Sequence, residues 1–274
     1  MPGPQIAASE AVGRLPRVCV VGTRVNASSF AAAQDFLAAL VQQRVGAYIC
    51  AANAYSVTLA RDDPHYRQIL NGASYVTADG MPIVWALRWL GYAAERVHND
   101  DLFLACCQRF RDWRHFLVGG RAGQPEQAAE EMRRRFKGIT VAGTHATPQR
   151  PVPLAETEMI LAEIRRTQPS VVWVGMGTPT QDYWSSEAAP RAGVPMVAVG
   201  SLFDLLSGRT KPTPEWMKRS GLQWLSRLSQ EPRRLLVRYV YYNARFVGAI
   251  SRQLAQRNLH RAGQSSGRRK RNAG

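Results

Sequence analysis

The sequence predicts an α/β fold, a Rossmann-like, mostly parallel sheet flanked by helices, with a basic C-terminal helical appendage. Three observations carry this reading. Short apolar, β-branched runs alternate with Ala-, Glu- and Arg-rich segments of helical spacing from residue 17 to about 200. After Asp204 the strands stop and only helical segments follow. The charge is also lopsided: of a formal +16, the stretch from Leu205 to Gly274 supplies +14, with 16 Lys and Arg against Glu215 and Glu231.

The elements follow in order. "RVCVVGTRV" reads as a first strand, and Ser28 or Ser29 can cap the helix "FAAAQDFLAALVQQ". "AYICAAN" and "SYVTA" are the second and third strands, and Pro82 then opens a helix. "HFLVGG", "ITVAG", "SVVWVG" and "VPMVAVG" complete seven strands, with "QPEQAAEEMRRRF" and "LAETEMILAEIRRT" as helices among them. In the appendage, Arg234, Arg238, Arg245 and Arg252 share one helical face. Leu236, Tyr239, Phe246, Val247, Ile250 and Leu254 point the other way. The organisation expected is a flexible N-terminus (1–16), an α/β core (17–208), a basic helical appendage (209–262) and a disordered basic tail (263–274). The core is expected to fold when cut after Gly208.

Composition excludes several classes. No apolar run reaches the roughly 18–20 residues that span a bilayer, and "MPGPQIAASEAVGRLPR" lacks the apolar centre of a secretory signal. Cys19, Cys50, Cys106 and Cys107 form no C-x-x-C pair and no disulfide framework, which suits reduced thiols in the cytosol. A nearly neutral body with a basic C-terminal quarter expects an anionic partner: nucleic acid, an acidic membrane surface or a phosphorylated substrate. There is no Walker A sequence, no G-x-G-x-x-G, no G-x-S-x-G and no D-x-D. The five histidines lack ligand spacing and read as surface or hydrogen-bonded structural residues, so no metal is expected.

What remains is a set of polar residues at strand ends, where ligands of parallel sheets bind. Asp79, after "YVTA", either caps the next helix or sits at the mouth of a site. Asn53 is a turn residue or a ligand contact. Gln181 and Asp204 are first-turn helix residues or contacts of the same kind. Their convergence on one sheet edge favours a site.

The same residues sit in longer patterns. "NAYSVTLARDDPHYRQILNGASYVTADGMPIVWALRWLG", with "ERVHNDDL", resembles the WecG/TagA/CpsF glycosyltransferases (glycosyltransferase family 26). "VGMGTPTQDYW" is similar to the family's V-G-x-G-x-P-K-Q-E-x-W. "VGSLFDLLSGRTKPTPEWMKRSGLQWLSRLSQEPRRLLVRYV" matches its F-D-x-x-S-G and G-L-E-W-x-x-R-L-x-x-E-P-x-R-L blocks. The resemblance covers about residues 18–250. It implies transfer of a sugar from a UDP-sugar to a polyprenyl-diphosphate-linked sugar on the inner membrane face, with inversion and without a metal ion or other cofactor. It implies Asp79 as catalytic base and Asn53, Gly80 and Asp101 near that base. Gln181, Phe203 and Asp204 are implied towards the nucleotide, and Arg227, Arg234 and Arg238 at the acceptor diphosphate. The products implied belong to exopolysaccharide, teichoic acid linkage units or enterobacterial common antigen, with glucose or N-acetylmannosamine (or its uronic acid) as donor sugar. Expected partners are the two substrates and an anionic membrane surface, not nucleic acid; self-association is left open.

The chain departs from the family pattern at named places. Ala51 stands for a common threonine, Asn99 for glycine, Asp182 for glutamate and Gln223 for the glutamate of G-L-E-W. "KPTP" replaces R-A-P, and "THATPQ" lacks an aromatic residue often found there. The reading from another class is a non-enzymatic nucleic-acid-binding protein, which the strand-end cluster and the absent recognition motif disfavour.

Overall fold

The structure, a computed structural model, describes residues 15–147, 151–214, 217, 223–230 and 232–271. The expected flexible N-terminus lies almost wholly outside these. Six strands form one parallel sheet: β3 (Tyr48–Ala52), β4 (Tyr75–Ala78), β5 (Arg114–Gly119), β6 (Thr140–His145), β7 (Val171–Gly175) and β8 (Met196–Ala198), ordered β4-β3-β8-β7-β5-β6. The strands alternate their apolar residues between two cores. Val172 and Val174 join one face with Cys50, Tyr66, Val76 and Trp184, whereas Val171 and Trp173 join the other with Phe36, Leu102, Phe103 and Val197.

The first predicted strand is corrected. Arg17–Val20 (β1) and Thr23–Asn26 (β2) form an antiparallel hairpin apart from the main sheet. Val21 and Gly22 both take positive φ, 51° and 86°, in the two-residue turn. The apolar run hides this turn because Val21 is an improbable residue for it. It is held from outside: Gln253 accepts from the Val21 N–H at 2.7 Å and donates to the Cys19 carbonyl at 2.7 Å.

Helices cover both sheet faces. Facing one core are α1 (Phe30–Gln42), α5 (Asn99–Arg109), α6 (Gln124–Arg135) and α9 (Leu202–Leu206). On the other side pack α2 (Ala54–Asp62), α3 (Pro64–Gly72), α4 (Met81–Trp89), α7 (Leu154–Thr167) and α8 (Thr180–Ala192). Of the two candidate caps for α1, Ser29 takes the role, accepting from Ala32 N at 3.2 Å. Ser28 bonds the Tyr75 hydroxyl instead.

Two further helices, α10 (Gln223–Gln230) and α11 (Pro232–Arg271), make up the appendage. Helix α11 continues to Arg271, so the disordered tail expected from residue 263 is corrected as far as that residue. Extending a nucleated helix gains a bond per residue, which offsets the poor propensity of its Gly and Ser. The appendage is also no free lid. Phe246 and Ile250 are buried in the core beside Val18, Val20 and Val57, and Tyr242 meets Tyr55 edge-on at 4.6 Å. Arg245, read as part of a basic face, pairs with Asp62 on α2 at 3.0 Å and lies over Tyr241. Val247, expected on the apolar face, is instead exposed. A body cut after Gly208 would lose Phe246 and Ile250 from its core.

Candidate active site

The carboxyl edge of the sheet collects the residues singled out by the sequence. Ala52 pairs with Ala78 across β3 and β4, so the next residues, Asn53 and Asp79, emerge side by side. Asn53 caps α2: its Oδ1 accepts from Ser56 N and the Ser56 hydroxyl accepts from Asn53 N, both at 3.0 Å. The turn reading is right for its Oδ1, while Nδ2 takes no part in the cap. Gly80 lies against it; a Cβ there would stand 3.2 Å from Asn53 Cβ. The glycine thus lets two strand ends close on each other.

Asp79 does not cap the helix that follows it. Gly80 is the N-cap of α4 and no side chain bonds its free N–H groups. Asp79 turns instead to the start of α5, where its Oδ1 accepts from Asn99 N at 3.3 Å and lies 3.8 Å from His98 Nε2. Both contacts use Oδ1, and 17% of the side chain remains exposed. The backbone is fixed as well: Asp79 N donates to Ala52 O at 3.0 Å, and Arg96 Nε donates to Asp79 O at 2.9 Å. The positive end of α5, not that of α4, therefore faces the carboxylate.

Asp101, in the first turn of α5, faces the same imidazole. Its Oδ2 is 3.8 Å from His98 Nδ1, and Asp100 Oδ2 is 4.0 Å from it. His98 Nδ1 is buried without a hydrogen-bond partner among the described residues. One imidazole thus stands among three carboxylates. Sequence reasoning set His98 aside as structural, because it searched histidines for metal-ligand spacing only. Among the described residues no group of three His, Cys, Asp or Glu has a metal-binding arrangement.

Asn99 is a second residue the sequence undervalued. It is buried, accepts from the Thr77 hydroxyl at 2.9 Å and donates from Nδ2 to Ala198 O at 2.6 Å. It thereby ties β4, β8 and the start of α5 into one block. Its departure from glycine was visible, but the partners were not.

The other half of the edge lies where the chain connections part, between β5 and β7. Gly119 pairs with Gly175 there, and a Cβ on Gly119 would come 2.5 Å from the Gly175 carbonyl carbon. With φ of +123°, Gly119 admits no side chain without strain, and the two strand ends meet there backbone against backbone. Gln181 is buried at the first turn of α8. Its Oε1 accepts from Gly177 N and Gly200 N, each at 3.1 Å, pinning the loops after β7 and β8 together. Asp204 accepts from Gln124 Nε2 at 2.8 Å, and Arg209 Nε lies 3.4 Å from the same Oδ1. Gln124 in turn accepts from Arg121 N at 3.0 Å, linking α9 to the loop after β5. Phe203 is 1% exposed and its ring fills the space over Gly175. It supports the loop from below, and its face is not open to a ligand. The backbone positions of Arg227, Arg234 and Arg238 fall on α10 and α11, and their side chains lie outside the described residues.

Behind the edge lies a buried acid. Asp182 on α8 accepts from the Tyr66 hydroxyl at 2.7 Å, and burial pushes its carboxyl up to about 6. The Cys50 thiol adjoins it as a weak donor, which leaves Oδ1 without a conventional partner.

A parallel sheet with a carboxylate–imidazole cluster at one end of its carboxyl edge and the parting of its chain connections at the other has the layout of α/β proteins that take ligands across strand ends. The chain belongs to the glycosyl transferase WecG/TagA/CpsF family, whose profile matches residues 18–260. It is 28% identical over 203 residues to the N-acetylglucosaminyldiphosphoundecaprenol N-acetyl-beta-D-mannosaminyltransferase of Bacillus spizizenii, across 71% of this chain and 75% of that protein. The resemblance drawn from the motifs is thus confirmed, and the chain is a hexosyltransferase.

Proposed function

We propose that the chain transfers a sugar from a UDP-sugar to a polyprenyl-diphosphate-linked sugar, with inversion and without a metal ion, in bacterial cell-surface polysaccharide synthesis. The observation that supports this most is the setting of Asp79, partly exposed at the strand end and held through one oxygen. Direct displacement needs a base that takes the acceptor hydroxyl proton as that oxygen attacks the anomeric carbon. The new C–O bond forms as the bond to UDP breaks, and the electron pair leaves on the UDP β-phosphate. The carboxylate faces the N-terminus of α5, whose dipole favours negative charge there. Gln181 and Asp204 order the loops at the β5–β7 end of the edge, where we assign the nucleotide.

The Bacillus relative acts on an undecaprenol-linked acceptor and moves N-acetylmannosamine, which makes UDP-N-acetylmannosamine the first donor to test. UDP-glucose, for an exopolysaccharide product, is the second. Arg227, Arg234 and Arg238 are the side chains we assign to the acceptor diphosphate, whose geometry suits guanidinium forks. No described helix is long and apolar enough to cross a membrane. A basic surface attracting anionic lipid from the cytoplasmic side then brings enzyme and acceptor together. The test is a panel of UDP-sugars incubated with a short-chain lipid-diphosphate sugar, with the product read by mass. Addition of one sugar residue supports the reading; no product from any donor overturns it.

A further inference from the structure

Helix α4 leaves the Asp79–Gly80 turn and carries an aromatic strip that stays exposed among the described residues. Trp85 is 43% exposed, Trp89 61% and Tyr92 41%. Trp85 and Trp89 are four residues apart on one helical face, with exposed Arg88 between them. The opposite face, Ile83, Val84, Ala86 and Leu87, is fully buried, so the strip is not a loosely packed core. Arg257 from α11 reaches the end of the strip and donates to the Leu90 carbonyl. The single acid between Met81 and Val97, Glu95, is engaged elsewhere, accepting from Phe30 N at 2.8 Å. This segment is therefore aromatic and cationic, with its one carboxylate engaged.

We propose that Trp85, Trp89 and Tyr92 form a membrane-interface contact that seats the mouth of the site on an anionic bilayer. Indole and phenol rings favour the headgroup layer, where an apolar body and a polar tip are both accommodated. Arg88, held through Nε and Nη2 on the Ala94 carbonyl, and Arg257 place positive charge beside them for lipid phosphate. The position fits the chemistry. Helix α4 has nine residues, so its far end lies about 13 Å from the catalytic turn at 1.5 Å per residue. A sugar joined to lipid by a diphosphate presents its hydroxyl within a similar short reach of the headgroups. An enzyme whose base serves such an acceptor needs a surface-seeking face at this range. The proposal rests on the lipid-linked acceptor reading and adds to it the patch that sets height and orientation.

The test uses the full chain and vesicles of phosphatidylcholine and phosphatidylglycerol, with and without brominated acyl chains. Wild-type tryptophan emission is expected to be quenched by the brominated lipid. Trp85→Ser/Trp89→Ser should lose most of that quenching and bind vesicles about tenfold more weakly, while Trp89→Tyr keeps most of the binding. Turnover of a soluble short-chain acceptor should be unchanged in both variants, which also shows that they fold. Unchanged quenching and vesicle binding in the double variant would overturn the proposal. So would a shift in oligomeric mass with vesicle binding intact, since the strip would then face a second copy. If the wild type turns over no UDP-sugar, the functional reading fails, and the vesicle result still decides the surface.

Discussion

The backbone N–H of Asn99 donates to Oδ1 of Asp79 across 3.3 Å, so the carboxylate ending β4 is held by the helix that starts twenty residues later. The bond crosses from the strand-end turn to α5, and Asn99 also anchors that helix to β8 through Ala198. Carboxylate, helix start and sheet edge are therefore tied into one block.

Gln181 is the corresponding fastener at the other half of the edge. Gln181→Ala leaves the N–H groups of Gly177 and Gly200 without their acceptor. Denaturant unfolding should show a loss of about 1–3 kcal/mol, the cost of unmade buried bonds. The KM for UDP-sugar should rise about tenfold, with kcat falling less, because the loops position the donor and do not touch the reacting atoms.

Asp182 and His115 set opposing pH dependences on stability. Burial raises Asp182 to about 6. Its penalty is absent below the unfolded value near 4, grows as pH rises, and is complete above about 6, at about 3 kcal/mol. Burial lowers His115 to about 4, where Trp173 Nε1 donates to its Nδ1 at 3.0 Å. Its contribution is whole above about 6.5 and is lost as pH falls towards 4. The two offset each other between pH 6 and 4. Asp182→Asn should stabilise the protein at pH 7.5 by up to about 3 kcal/mol and should make unfolding free energy fall visibly on acidification. A pH profile parallel to wild type would contradict this.

Phe246 tests whether α11 belongs to the core. Phe246→Ala should cost about 3–5 kcal/mol in urea unfolding, as for a buried aromatic. An effect below about 1 kcal/mol, the scale of a surface substitution, would return α11 to the status of a detachable lid.

The sequence showed the alternation of strands and helices because each buried strand is a short apolar run bounded by Gly, Asn or Asp. It placed Asn53, Asp79, Gln181 and Asp204 on one edge because parallel strands send all their carboxyl ends the same way. It misread β1 and β2 as one strand because a valine occupies a left-handed turn position, stabilised by Gln253 from far along the chain. It missed His98 and Gln124 as site residues because their meaning lies in partners three residues or eighty residues away, which composition does not reveal. The burial of Phe246 was equally invisible, since an amphipathic helix looks the same whether its apolar face meets a core or a lipid surface.

Asp79→Asn tests the central claim most directly. The variant keeps an oxygen to accept from Asn99 N and loses the negative charge, and with it the capacity to take a proton. With donor and lipid-diphosphate acceptor saturating, turnover should fall by about 10³-fold or more, while UDP affinity and unfolding stay near wild type. Turnover within about tenfold of wild type would show that another group takes the proton and would remove Asp79 from the role of base.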